Sequence, residues 1–215
     1  MDTRPLGIFG GTFDPIHYGH LRPAQEVLGA LSLDEIRFIP TAQPPHRPAP
    51  EASPNQRLHM LRLALADFPR FTADDREIRR GGSSYTVLTL ESLRVEVGER
   101  PVCLILGLDA FLGLETWHRW REIPDLAHLV VLTRPGWVLD ELPPWAHGRH
   151  CADGGSLARS SAGRLFFLAV KPQNISATGI RAALARGETV QDLLPQAVQG
   201  FICQNHLYSH LNLRT

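Results

Sequence analysis

Lysine is almost absent from this chain: Lys171 is the only one. Positive charge therefore rests on arginine, whose planar fork suits phosphate and carboxylate. A genome favouring arginine codons explains most of those arginines without any function. Net charge is absent too, because 22 Lys and Arg balance 22 Asp and Glu. A neutral chain offers no bulk field for nucleic acid or an anionic membrane. No apolar run reaches the roughly 18 residues of a membrane span. The N-terminus lacks the basic stretch and apolar segment of a secretory signal. Cysteines are few and scattered, at Cys103, Cys151 and Cys203, an odd set with no framework. Such usage fits a reducing compartment. The expectation is a cytoplasmic chain with no nucleic-acid or membrane partner.

What is present reads as globular, with 43% apolar and 20% charged residues over 215 positions. That length suits one domain, 1–215, with a real core. Apolar runs at Leu6–Phe9, Asp34–Pro40, Val102–Leu106, Leu129–Leu132 and in "GRLFFLAV" read as strands. Between them lie helical patterns. One runs from about Gly19 to Leu31. Another begins at Asn55 and carries Leu58, Leu61, Leu65 and Phe68 inward. A third follows a cap at Ser83 or Ser84, and others open at "SATGIRAALARGE" and at Pro195. "RFTADDREIRR" offers short strands. Alternating strands and helices predict an α/β fold, Rossmann-like and doubly wound, with a mostly parallel sheet and helices on both faces. A proline-rich loop spans about 42–55, and a surface excursion spans about 136–163.

The stretch "GIFGGTFDPIHYGHL", Gly7 to Leu21, carries the chemistry. In open α/β sheets ligands bind beyond the carboxyl ends of strands. Gly10 and Gly11 let the backbone turn tightly there and approach a ligand. The helix that follows offers unpaired N–H groups to a phosphate. His17 and His20 stand at that helix start, each able to donate an N–H to a phosphoryl oxygen. The stretch lacks the three glycines of a dinucleotide fingerprint and the Gly-Lys-Ser/Thr of a phosphate loop. A zinc site on His17 and His20 would need further ligands, and only Asp14 stands near. "HGRHCADGG", with His147, His150 and Cys151, invites a metal too, but reads as solvated loop.

"GGTFDPIHYGH" together with "ISATGIR" at Ile175–Arg181 resembles the paired signature of the HxGH nucleotidylyltransferase superfamily. Within it, the chain is most similar to bacterial nicotinate-nucleotide adenylyltransferases. "PPHRP" at Pro44–Pro48, "SYT" at Ser84–Thr86, "GLDAF" at Gly107–Phe111, "TWHRW" at Thr116–Trp120 and "TRPG" at Thr133–Gly136 extend the likeness over nearly the whole chain. The family's usual aromatic after the tryptophan is here His118.

The resemblance implies adenylyl transfer from ATP to nicotinic acid mononucleotide, giving deamido-NAD and pyrophosphate. It gives His17, His20 and Arg181 the catalytic roles on the phosphates. It places ATP against Gly10, Gly11, Thr12, Phe13, Ile175, Ser176 and Thr178. It places the mononucleotide against His46, Arg47, Thr86, Asp109, Trp117, His118 and Arg134, with Trp117 stacked on the pyridine ring. Mg²⁺ would arrive with ATP, held mainly by phosphates rather than by a protein cage. The chain would be a monomer or weak homo-oligomer. The competing readings are an enzyme for nicotinamide mononucleotide or phosphopantetheine, and a non-catalytic nucleotide-binding module.

Overall fold

The computed structural model describes residues 4–44, 48–136 and 141–209. The expected strands pair into one sheet of six: β1 (Leu6–Gly11), β2 (Glu35–Pro40), β3 (Phe71–Ala73), β4 (Val102–Gly107), β5 (His128–Thr133) and β6 (Leu165–Ala169). Their order is β3-β2-β1-β4-β5-β6, and every pairing is parallel. Side chains alternate across this sheet. Cys103 and Ile105 point into one apolar layer, while Val102, Leu104 and Leu106 point into the other. A strand buried on both faces has no polar side, which is why β4 reads as an unbroken apolar run.

Parallel neighbours need crossovers, and the helices supply them. Helices α1 (Tyr18–Ala30) and α2 (Pro54–Leu65) cover one face, joined there by α7 (Ala177–Ala185) and α8 (Gln196–Gln204). The other face takes α4 (Thr86–Val97), α5 (Leu108–Leu112) and α6 (Ile123–Leu126). Strand order reverses between β1 and β4, so their carboxyl ends splay around a crevice, the place where such sheets bind ligands.

Several local expectations are corrected. "RFTADDREIRR" gives only β3 before turning into the short helix α3 (Arg76–Arg80), because the charged run has no second apolar face to pair. Neither Ser83 nor Ser84 caps α4, whose N-cap is Tyr85. The Ser84 hydroxyl instead accepts from the Ala42 amide at 2.8 Å, tying the base of the proline-rich loop to the α4 approach. Helix α2 starts at Pro54, one residue before Asn55, because Ser53 caps the Gln56 amide and Gln56 answers to the Ser53 amide at 2.9 Å. That helix stops at Leu65, so Phe68 lies in the following turn and stacks on Phe71.

The excursion is not merely surface. Ala146 and Leu157 are buried, and the Cys151 amide donates to the Leu165 carbonyl at 2.9 Å along the free side of β6. An edge strand with unpaired carbonyls accepts such a neighbour. "HGRHCADGG" is therefore partly an edge cover rather than a loose loop.

Candidate active site

The glycine turn at the end of β1 leads into a compact aromatic cradle. Phe13 is buried with φ of 50°, a left-handed conformation rare outside glycine. Its ring lies under Gly11, where an added Cβ would meet it at 2.8 Å, and edge-on to His20 at 5.1 Å. The two imidazoles of His17 and His20 lie face to face, their centroids 3.8 Å apart. The His17 amide donates to His20 Nδ1 at 3.4 Å. His20 Nδ1 is thus the acceptor, so the ring proton sits on Nε2 in the neutral form. Burial pushes the His17 imidazole down to about 4. His20 is lowered well below its ordinary value by burial and by the neighbouring ring. Both are neutral at pH 7 and each offers one N–H.

The second motif closes onto the first. The Ser176 hydroxyl accepts from the Gly179 amide at 3.1 Å and starts α7. One turn further, Arg181 Nη1 donates to the Asp14 carbonyl at 2.8 Å, and Nε donates to Glu51 at 2.6 Å. Gly19, absent from the candidate set, makes the junction possible. A Cβ there would stand 2.8 Å from His17 Nδ1 and 3.0 Å from the Ile175 carbonyl. The glycine of the H-x-G-H string was the available signal.

Sequence reasoning also missed two buried anchors. Asp14 accepts from the Glu51 amide at 2.9 Å, the Ala52 amide at 3.1 Å and the Tyr208 hydroxyl at 2.6 Å. Arg57, fully buried, donates to the carbonyls of Ala52, Thr12 and Ala42 at 3.2, 2.8 and 3.2 Å. One carboxylate and one guanidinium thereby fasten both ends of the proline-rich loop to the glycine turn. Partners this remote in sequence leave no local pattern to read.

A cleft of about 1450 Å³ opens over this assembly. Gly10, Gly11, Thr12, Phe13, His20, Thr178 and Arg181 line it, as do Thr86, Asp109, Trp117, His118 and Arg134. His17 lies behind His20. Ile175 and Ser176 sit at the start of α7, the Ile175 carbonyl beside Gly19 and the Ser176 hydroxyl on the Gly179 amide. His46 and Arg47 lie outside the described residues. Trp117 is half-buried against the second apolar layer, and His118 stacks on Tyr85 at 4.3 Å, so the imidazole still presents a flat ring. Asp109 falls in the first turn of α5, whose N-cap is Gly107. Among the described residues no group of three or more His, Cys, Asp or Glu is placed to hold a metal ion, and no helix is long and apolar enough to cross a membrane.

Paired imidazoles and an arginine at the switch point of a parallel sheet define a nucleotide-handling α/β protein. The chain matches the Cytidylyltransferase-like family model over residues 8–183. It is 50% identical over 208 residues to a protein of Methylococcus capsulatus, covering 95% of this chain and 99% of that one. It is 48% identical over 213 residues to a protein of Halorhodospira halophila, covering 98% of each. Both relatives carry the name "Probable nicotinate-nucleotide adenylyltransferase". Among solved structures, nicotinic acid mononucleotide adenylyltransferase of Plasmodium falciparum, complexed with NaAD, superposes with a TM-score of 0.72. That superposition covers 95% of this chain and 97% of that one, and at 15% identity it speaks for the fold alone. The chain belongs to the nicotinate-nucleotide adenylyltransferase family.

Proposed function

We propose that this chain joins nicotinic acid mononucleotide to ATP, forming deamido-NAD and releasing pyrophosphate. The mononucleotide phosphate attacks the α-phosphorus of ATP directly, and the P–O bond to pyrophosphate breaks. Both reactants are anions, so the protein's work is alignment and charge neutralisation. The observation that carries this reading is one cleft lined by His20, with His17 stacked on it, by Arg181, and by Thr86 and Trp117. His20 donates from Nε2 to the transferred phosphoryl group, and His17 supports it from behind. Arg181 forks onto the departing pyrophosphate. Thr12 and the amides near Gly11 add donors.

The donors gathered here are imidazole, guanidinium and amide, which suit phosphate oxygens rather than a cation. They fit Mg²⁺ carried in on phosphates and water, where it would offset triphosphate charge. Among the described residues no side chain caps the start of α4, so amides near Thr86 are available to the nicotinate carboxylate, favoured there by the helix dipole. Trp117 supplies the stacking face, and Asp109 and Arg134 line the same cleft. The test is pyrophosphate release from ATP and Mg²⁺ with nicotinic acid mononucleotide and nicotinamide mononucleotide compared side by side. Preference for the acid is expected. Preference for the amide would overturn the substrate assignment, and release with neither would overturn the reaction.

A further inference from the structure

Tyr208 stands 194 positions from Asp14 in the chain, yet its hydroxyl donates to Asp14 Oδ1 at 2.6 Å. The chain leaves α8 through left-handed backbone at His206 and Tyr208, with φ of 50° and 62°. The Tyr208 ring is 9% exposed and belongs to the apolar layer that holds α1 and α2. Burial and the bond to Asp14 push its hydroxyl pKa up, so it keeps its proton and donates.

The Asp14 carboxylate is buried, and a buried charge must have its hydrogen bonds supplied from within. Three neutral donors supply them. Oδ2 accepts from the Glu51 amide at 2.9 Å, and Oδ1 accepts from the Ala52 amide at 3.1 Å and from Tyr208. Arg181 stands beside this carboxylate without joining it. Its Nη1 lies 4.0 Å from Oδ2, beyond hydrogen-bond distance, and donates instead to the Asp14 backbone carbonyl at 2.8 Å. A guanidinium and a carboxylate ordinarily pair through two parallel bonds. Here neutral donors fill the oxygens, and the guanidinium stays at the edge of the cleft.

We propose that Tyr208 is a positioning residue for ATP: its bond to Asp14 keeps the carboxylate from capturing Arg181 and leaves the guanidinium for phosphate. The inference rests on the function proposed above, in which Arg181 meets the departing pyrophosphate. Without the hydroxyl, Oδ1 keeps a single donor and the carboxylate attracts the nearest cation that can move. Arg57 cannot answer, because its N–H groups are directed at three carbonyls. Arg181 can, since its other partner, Glu51, is half-exposed.

The test is calorimetry with ATP and Mg²⁺, without mononucleotide, on the wild type, Tyr208→Phe, Arg181→Ala and the double variant. Phenylalanine keeps the buried ring and leaves both amides on Asp14, and thermal unfolding checks that the fold is retained. Tyr208→Phe should weaken ATP binding by about tenfold, the scale of a hydrogen bond to a charged group. In steady-state pyrophosphate release its KM for nicotinic acid mononucleotide should stay within about twofold of the wild type. In the Arg181→Ala background the same change should alter ATP affinity by less than about twofold, because the group it acts through is gone. A hydroxyl with only a structural role would lower the unfolding temperature and leave ATP affinity unchanged. Unchanged affinity in folded Tyr208→Phe would therefore overturn the proposal. So would an undiminished loss in the Arg181→Ala background, since Tyr208 would then act by another route. Wild-type protein that neither binds ATP nor releases pyrophosphate would instead overturn the function on which the proposal rests.

Discussion

His17 is the side chain whose titration should be visible in the stability of the whole molecule. It is 4% exposed, faces the His20 ring, and burial pushes its imidazole from 6.5 down to about 4. In the unfolded chain it protonates near pH 6.5. In the folded chain it stays neutral until the pH approaches 4. Its contribution is therefore complete above pH 6.5 and is lost as the pH falls towards 4, because only the unfolded state gains the proton in that window. A depression of this size corresponds to about 3 kcal/mol. His17→Gln removes the titration while keeping a polar side chain of similar reach. Urea unfolding of both proteins, from about pH 7.5 to about pH 4, measures the difference in stability at each pH. His20 also carries a lowered pKa of the same sign, mostly from its own burial, which remains in both proteins; only its smaller coupling to the His17 ring changes with the substitution. The wild-type advantage should shrink by about 3 kcal/mol across the window. An advantage that stays constant with pH would refute the reasoning, and would mean that water reaches His17 in the folded state.

Three further outcomes are expected. His20→Ala should lower the rate of pyrophosphate release by roughly a hundredfold with KM nearly unchanged, as expected on losing a donor aimed at developing charge; steady-state kinetics on ATP separate the two parameters. Glu51, half-exposed, occupies Arg181 at 2.6 Å, and in the proposed reaction it would yield Arg181 to the pyrophosphate group. Exposed ion pairs are worth about 0.2–1 kcal/mol, so Glu51→Ala should tighten ATP binding by up to about fivefold in calorimetry, while Arg181→Ala weakens it. Arg57→Leu should strand the carbonyls of Thr12, Ala42 and Ala52. It should cost about 2–4 kcal/mol and lower the melting temperature by about 5–15 °C, measured by differential scanning calorimetry. Arg57→Lys should rescue little, because an ammonium cannot fork onto three separated carbonyls.

The amino-acid string by itself determined much of this protein. Strand runs such as Val102–Leu106, the glycine turn, His17 with His20, and "ISATGIR" announce themselves through near neighbours, because pleat, helical pitch and tight turns are local physics. The alternation of strands and helices likewise fixes a parallel sheet, since parallel neighbours require a crossover between them. Tertiary structure decided what depends on meetings between distant segments. Arg181 reaches the Asp14 carbonyl across 167 positions, and Tyr208 reaches the Asp14 carboxylate across 194. The guanidinium of Arg57 looks like one more charge on a helix until three carbonyls close around it. Glu77 looks like a surface acid until the fold buries it against the Thr89 hydroxyl. Burial and pairing at long range have no period along the chain, so only the folded molecule reveals them.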